Sequence, residues 1–212
     1  MKFLLFFFSL ELCFALPKFP VIEKGWAHLD YLSDKELTIT ADANTVINWQ
    51  QFSIEKEERV TFLLPGQGSA VLNRVVGMLP SKIDSCLEAN GSVFLINPQG
   101  INFEKAATVN VASLFVSSLD MDNEAFLQKE EVALFRGSLQ PLVNEGNIYT
   151  YDGNLFLIGH QIENEGSIRV DNGNAYLIAA DELELFYQRI DTLRLRLDRS
   201  QARIHKFELH QK

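Results

Sequence analysis

Two stretches of this chain repeat each other without a gap. Asn144–Ile158 (NEGNIYTYDGNLFLI) aligns with Asn164–Ile178 (NEGSIRVDNGNAYLI) at an offset of 20 residues. Asn, Glu, Gly and Ile recur at the start of the unit, Gly and Asn in its middle, Leu and Ile at its end. Gly91–Ile96 echoes the second half. A fixed period near 20 residues marks a solenoid. The Leu and Asn ladder of leucine-rich repeats is missing. Each unit has instead two short runs rich in strand formers, Ile148–Tyr151 and Leu155–Ile158 in the first copy, parted by Asp and Gly. The pattern predicts an all-β chain wound as a right-handed, single-stranded parallel β-helix.

Stacking explains the residue types. Successive coils lie about 4.8 Å apart, so repeated positions sit above one another. Asn144 then falls on Asn164 and Asn154 on Asn174, and their amides can ladder along the axis. Gly146, Gly166, Gly153 and Gly173 are expected at corners that need positive φ. Val93, Leu95, Ile101 and Phe103 are expected inside. At this spacing the chain would hold roughly nine coils, ~45 Å of axis.

Charge and cysteines narrow the functional classes. The net charge is −9 with no basic block, which excludes nucleic acid as a partner. Residues 1–15 read as a secretory signal peptide: Lys2, an apolar Phe- and Leu-rich run, then Cys13 and Ala15 at the positions a signal peptidase inspects. The run is too short to span a bilayer as a helix. Removal after Ala15 would leave Cys86 as the one cysteine, with no internal disulfide. Cys86 reads as a small, buried or half-buried side chain. The four histidines, His28, His160, His205 and His210, show no metal-ligand spacing. No cofactor or metal is expected.

The remaining chain divides by pattern. Residues 16–36 form a lead-in and cap, with extra strands closing the amino end of the helix. Residues 37–180 form the β-helix. Leu37–Thr40 and Val46–Ile54 alternate as strands, residues 55–59 are a charged turn, Val60–Leu64 is a strand, and Pro65–Gly68 stops it. Leu119–Leu127 is polar and reads as a helical turn or an excursion. Residues 181–212 are ambiguous: Leu183, Phe186, Ile190, Leu193 and Leu197 keep helical spacing, while Thr192–Asp198 alternates strictly and favours strands.

Several segments, in order, resemble the two-partner secretion domain of filamentous haemagglutinin-like, high-molecular-weight adhesin exoproteins. They are Ile47–Ile54 (INWQQFSI), Ser69–Gly77 (SAVLNRVVG), Pro80–Ile83 with Leu87, Ala89–Phe103 (ANGSVFLINPQGINF), Val109–Val111, and Leu114 through Phe126. The resemblance runs from about Trp49 to Ala180. Gln99 stands where the family has Asn, and Ser85 and Glu104 where it has Gly. The family's Asn-Pro-Asn-Leu signature is missing.

The resemblance implies a pectin-lyase-like β-helix that is an export address rather than an enzyme. It implies entry to the periplasm of a Gram-negative-type bacterium and recognition by the periplasmic (POTRA) domains of an outer-membrane Omp85-type transporter. The chain then emerges secreted or at the cell surface, with a host-surface ligand as a further partner. Family domains head very large exoproteins, so a chain of this length reads as a stand-alone or truncated copy. The signature residues Asn73, Arg74, Asn97, Pro98, Gln99, Gly100 and Ile101 are the candidates for recognition. Arg74 is the sharpest, because a charge in an apolar strand needs a carboxylate or carbonyl partner; a purely structural ion pair is the other reading. Two alternatives remain. One is a self-contained surface adhesion module. The other is a β-helical polysaccharide-degrading enzyme using Asp120, Asp122 or Asp171, although these read better as solvated loop charges.

Overall fold

The computed structural model describes residues 16–127, 132–188, 192–197 and 203–207. The leader reading, Cys13 and His210 lie outside the described residues. The fold is a parallel β-helix with three sheets along its sides.

The first sheet runs β1 (Lys18–Lys24), β4 (Thr45–Gln51), β6 (Ala70–Val75), β9 (Ser92–Ile96), β12 (Ser113–Ser117), β17 (Leu155–Gly159), β20 (Ala175–Ala179) and β23 (Arg203–Phe207). The second runs β18 (Gln161–Asn164), β15 (Pro141–Asn144), β10 (Ile101–Phe103) and β7 (Ser81–Ile83). The third runs β19 (Ser167–Val170), β16 (Asn147–Thr150), β11 (Thr108–Val111), β8 (Cys86–Ala89), β5 (Arg59–Leu63), β3 (Glu36–Ala41) and β2 (Ala27–Ser33). A fourth sheet, β13 (Asp120–Met121), β14 (Val132–Arg136), β21 (Glu182–Gln188) and β22 (Thr192–Leu197), is antiparallel and stands outside the coil.

Six strands of the first sheet, β4 to β20, pair in parallel, one per coil. The expected nine coils therefore reduce to six. The repeat gives 20 residues per turn, but other residues are spent elsewhere. The described residues of segment 118–140 leave the coil between β12 and β15, and the first and last described segments form antiparallel strands. At the amino end β1 runs antiparallel to β4 and β2 antiparallel to β3. Edge strand β1 carries Lys18, Pro20 and Lys24, a register irregularity between Ile22 and Lys24, and Phe19 at φ 53. These features discourage further strand addition. Beyond Asp181 the tail continues as strands, as its alternation predicts.

Register follows the repeat. Leu155, Phe156, Leu157 and Ile158 face Ala175, Tyr176, Leu177 and Ile178. Inward rows such as Val93, Leu114 and Leu155 fill an aliphatic core, which also contains Leu95, Ile101 and Phe103. The outward row of the same sheet is aromatic: Phe94, Phe115, Phe156 and Tyr176 stack with ring centroids 4.9, 5.3 and 4.8 Å apart. A second apolar cluster joins this row to Phe126, Phe135 and Leu183 from the excursion and tail. The parallel strands β6 to β20 of the first sheet are thus covered on both faces. The excursion's short helix α1 (Asn123–Leu127) starts where Asp122 Oδ1 accepts the Glu124 N–H at 3.1 Å, a helix cap.

Of the four repeat glycines, Gly153 takes the expected positive φ, at 158, and the other three have a different cause. Gly146, Gly166 and Gly173 do not take positive φ. They are glycines because neighbouring coils come too close. A Cβ on Gly166 would lie 2.1 Å from the Gly146 carbonyl oxygen, and one on Gly173 would lie 2.4 Å from that of Gly153.

Candidate functional site

Three loops meet at one corner of the helix. They precede β7, β10 and β15, adjacent strands in which Ser81, Ile101 and Leu142 share register. The middle loop carries Asn97, Pro98, Gln99 and Gly100. Asn97 is fully buried. Its Nδ2 donates to the Leu79 carbonyl and to Ser81 Oγ, each at 3.0 Å. Its Oδ1 accepts the Gln99 N–H at 2.9 Å. One amide therefore shapes its own turn and holds the loop of the preceding coil.

The Gly100 N–H donates to the Asn97 carbonyl at 3.0 Å, so Gly100 is the fourth residue of the turn. It takes φ 102, whereas Gln99, the third residue, is not at positive φ. A type II turn at Asn97–Gly100 is excluded, because that type needs positive φ at its third position. Asn first, Pro second and Gly fourth are the preferences of a type I turn. The Pro98 carbonyl accepts a 2.7 Å hydrogen bond from Ser138 Oγ. Ser118 Oγ donates to the Gln140 carbonyl at 2.8 Å. The turn and the two ends of the excursion are thereby fastened together. Ile101 begins β10 and is buried in the core, while Pro98 and Gln99 are half-buried.

On β6 the pleat sends neighbouring side chains to opposite faces. Asn73 points inward. Trp49 Nε1 donates to its Oδ1 at 3.0 Å, and its Nδ2 donates to the Phe94 carbonyl at 3.3 Å. This satisfies a buried indole N–H that would otherwise be costly. Arg74 points outward, beneath the excursion. It forms an ion pair with Asp120, donates to the Met121 carbonyl, and reaches Asn123 Oδ1 at 2.8 Å. Its side chain is 12% exposed and that of Asp120 48%. Burial pulls the guanidinium pKa down, and the carboxylates of Asp122 and Glu23 oppose the shift. Arginine remains charged.

Arg74 thus has both kinds of partner that a buried cation requires. Asp120 is its counter-ion, not a solvated loop charge. Asp171 likewise accepts from Tyr149 Oη and from Arg169 Nε. Sequence reasoning missed Asn123, Ser138 and Ser118 as anchors. Their partners lie 49, 40 and 22 residues away in sequence, and no local pattern marks them. Cys86 is half-buried on the third sheet, in a more polar setting than its apolar neighbours in sequence imply. Arg59 Nη1 donates to its Sγ at 3.0 Å, and burial pushes the thiol pKa up. His160 pairs with Asp181. Among the described residues no group of three His, Cys, Asp or Glu side chains could hold a metal ion.

The motif residues therefore clamp the place where the coil is interrupted. A family model described as the TPS secretion domain matches residues 35–210. The chain belongs to this family. Two heme/hemopexin-binding proteins of Haemophilus influenzae, the first from strain Rd, are 34% and 32% identical to it over 107 and 110 residues. Each match covers 50% of this chain and 12% of the relative. Among solved structures, the HMW1 secretion domain from Haemophilus influenzae overlays with a TM-score of 0.76 at 32% identity. That overlay covers 85% of this secretion domain and 48% of the solved chain. The secretion domain thus spans less than half the length of the relatives it matches.

Proposed function

We propose that this secretion domain is the export address of a two-partner system, read by the periplasmic POTRA domains of a dedicated outer-membrane β-barrel transporter. The family match across residues 35–210 carries the reading. On it, the chain passes through the periplasm of a Gram-negative-type bacterium and folds outside, as a non-enzymatic part of an adhesin-like exoprotein. Residues 1–15 direct entry to the periplasm. Residues 37–180 form the folding unit, flanked by the cap at 16–36 and the strands of 181–212.

The geometry bears on how recognition would work. Asn73, Asn97 and Ile101 are buried once the coils close. If a transporter contacts their side chains, it does so while the segment is extended. An extended strand-forming segment can add to a sheet edge through main-chain hydrogen bonds. Ordering it costs part of the gross binding energy, so affinity would be modest. Stacking between neighbouring coils then lets folding propagate along the axis.

The test is extracellular yield with and without the cognate transporter, alongside binding to its purified periplasmic domains. Export that depends on the transporter supports the reading. Equal yields in both strains with no detectable binding overturn it.

A further inference from the structure

Glu58 is a buried carboxylate without a counter-ion. At 6% exposure it is the most buried acid or base among the described residues. Among these residues no lysine, arginine or histidine side chain forms an ion pair with it. The nearby lysines are engaged elsewhere: Lys35 pairs with Glu57, and Lys56 lies 4.0 Å from Asp84. A tight turn fixes the position of the carboxylate. The Glu58 N–H donates to the Glu55 carbonyl at 3.0 Å, Glu57 takes φ 66, and Glu58 Oε2 accepts the Glu55 N–H at 2.7 Å. The Cys86 N–H donates to the Glu58 carbonyl at 3.2 Å, which ties the turn to β8.

The other partner of this carboxylate is the start of the cap, because it also accepts the backbone N–H of Leu16. Leu16 is 4% exposed and belongs to the aliphatic core. Pro17 follows it, its carbonyl accepting from Tyr31 Oη at 3.3 Å, and β1 begins at Lys18. Burial raises the Glu58 pKa. The N–H groups of Glu55 and Leu16 oppose the rise, the Glu55 carboxylate adds to it, and Lys18 reduces it. Two neutral N–H groups and a lysine that forms no ion pair compensate a buried charge poorly.

Leu16 is also the residue that a cut after Ala15 sets free. Water adds across the Ala15–Leu16 amide: Ala15 leaves with the new carboxylate, and the Leu16 nitrogen keeps the electron pair of the broken bond and takes up protons. A neutral amide with one N–H becomes an ammonium with three, charged at neutral pH because an α-amine titrates at about 7.7–8.0. We infer that Glu58 receives the α-ammonium of Leu16 formed when the leader is removed, and that this buried ion pair locks the cap onto the helix. The inference rests on the reading of residues 1–15 as a removable leader. It requires no rearrangement, since the Leu16 nitrogen already faces the carboxylate. The pair joins the start of β1, in the first sheet, to the turn before β5, in the third, so leader removal reinforces the capped end of the helix.

The test uses the chain from Leu16 to Lys212, as leader removal leaves it, released from an amino-terminal fusion by a protease that cuts directly before Leu16. One portion is acetylated at the Leu16 amine alone, which restores the neutral amide N–H of the uncut chain. Glu58→Gln keeps a hydrogen-bond acceptor and loses the charge. At about pH 6.5 the free-amine chain should melt about 5 °C above its acetylated form. In Glu58→Gln, acetylation should shift Tm by about 1 °C or less, a coupling that a merely structural turn residue does not produce. The pair raises the folded-state pKa of the amine, so the gap is present in full below about pH 7 and closes as pH rises through the folded value. The proposal falls if acetylation leaves the Tm of the parent unchanged, if it costs Glu58→Gln as much as the parent, or if the gap widens from about pH 7 to about pH 9.5. The mass of the exported chain separates this inference from the leader reading. Retention of residues 1–15 overturns both; a chain cut elsewhere, or one cut at Leu16 that lacks the Tm gap, overturns the inference alone.

Discussion

The coils at 141–180 and those at 70–140 belong to one helix but are held together differently. In the later coils each row matches the row above. Asn144 donates to Asn164 at 2.8 Å, the Asn174 N–H donates to Asn154 Oδ1 at 2.8 Å, and each bond spans 20 residues. In the earlier coils the decisive bonds join unlike residues far apart. Arg74 reaches Asn123 across 49 residues, and Ser138 reaches Pro98 across 40. The repeat is stabilised by similarity between neighbours, the interrupted part by unique anchors. A change in the repeat should therefore act locally, while a change at an anchor should also free the excursion.

The largest expected effect is at the aromatic row joining the two parts. Phe115→Ala removes a ring that touches Phe94, Phe135 and Phe156. It should cost about 3–5 kcal/mol in denaturant unfolding. Proteolysis should then cut within 118–140 before the coils. Cleavage first within 141–180 would contradict the comparison.

Next is Gly166→Val, which drives a side chain against the Gly146 carbonyl. A loss of about 3 kcal/mol is expected, with the excursion still protected. Unaltered stability would show that the last coil can splay away from its neighbour.

The Arg74 pair gives a smaller and asymmetric effect. Asp120→Ala leaves a largely buried guanidinium without its counter-charge and should cost about 2–3 kcal/mol. Arg74→Met leaves only a half-exposed carboxylate and should cost about 1 kcal/mol. Thermal melts of both variants would settle the order; the reverse order would mean that the Met121 and Asn123 bonds dominate.

The smallest contrast is between two asparagines. Asn97→Ala removes three side-chain hydrogen bonds in a buried site and should cost about 2 kcal/mol. Asn144→Ala, which leaves a neighbouring coil with its own asparagine, should cost about 1 kcal/mol. Equal losses would erase the distinction between anchor and ladder.

The repeat was the legible part of the sequence, because similarity at a fixed offset directly gives stacking register. Asn144 over Asn164 and Leu155 over Ala175 follow from it. Coil number did not follow: the polar run Leu119–Leu127 read as a helical turn or an excursion, but nothing in it gave how many residues leave the coil or how many are spent on antiparallel strands at the two ends. The two faces of the first sheet were half legible. Val93 and Leu95 read as inward, but Phe94 gave no sign of a second core, although Phe115, Phe156 and Tyr176 recur in its row. Arg74 required a partner on elementary grounds. Asp120 could not be named, because a separation of 46 residues leaves no periodic trace. The type of the Asn97 turn was not legible, because Gly at the third or fourth place looks alike until its hydrogen bond is known.

The length of the Arg74 connection also sets an order of events for a chain that emerges amino end first. Asn144 meets its match once 20 more residues are out. Arg74 must wait for Asn123, 49 residues later, which is roughly 160 Å of extended chain. A membrane about 30 Å thick holds only some nine extended residues at a time. Several coils would therefore lie outside with an unpaired cation on their flank before the latch arrives. On the proposed export route the excursion would work as a clock: the early coils would stay incompletely fastened until a fixed length of chain had passed.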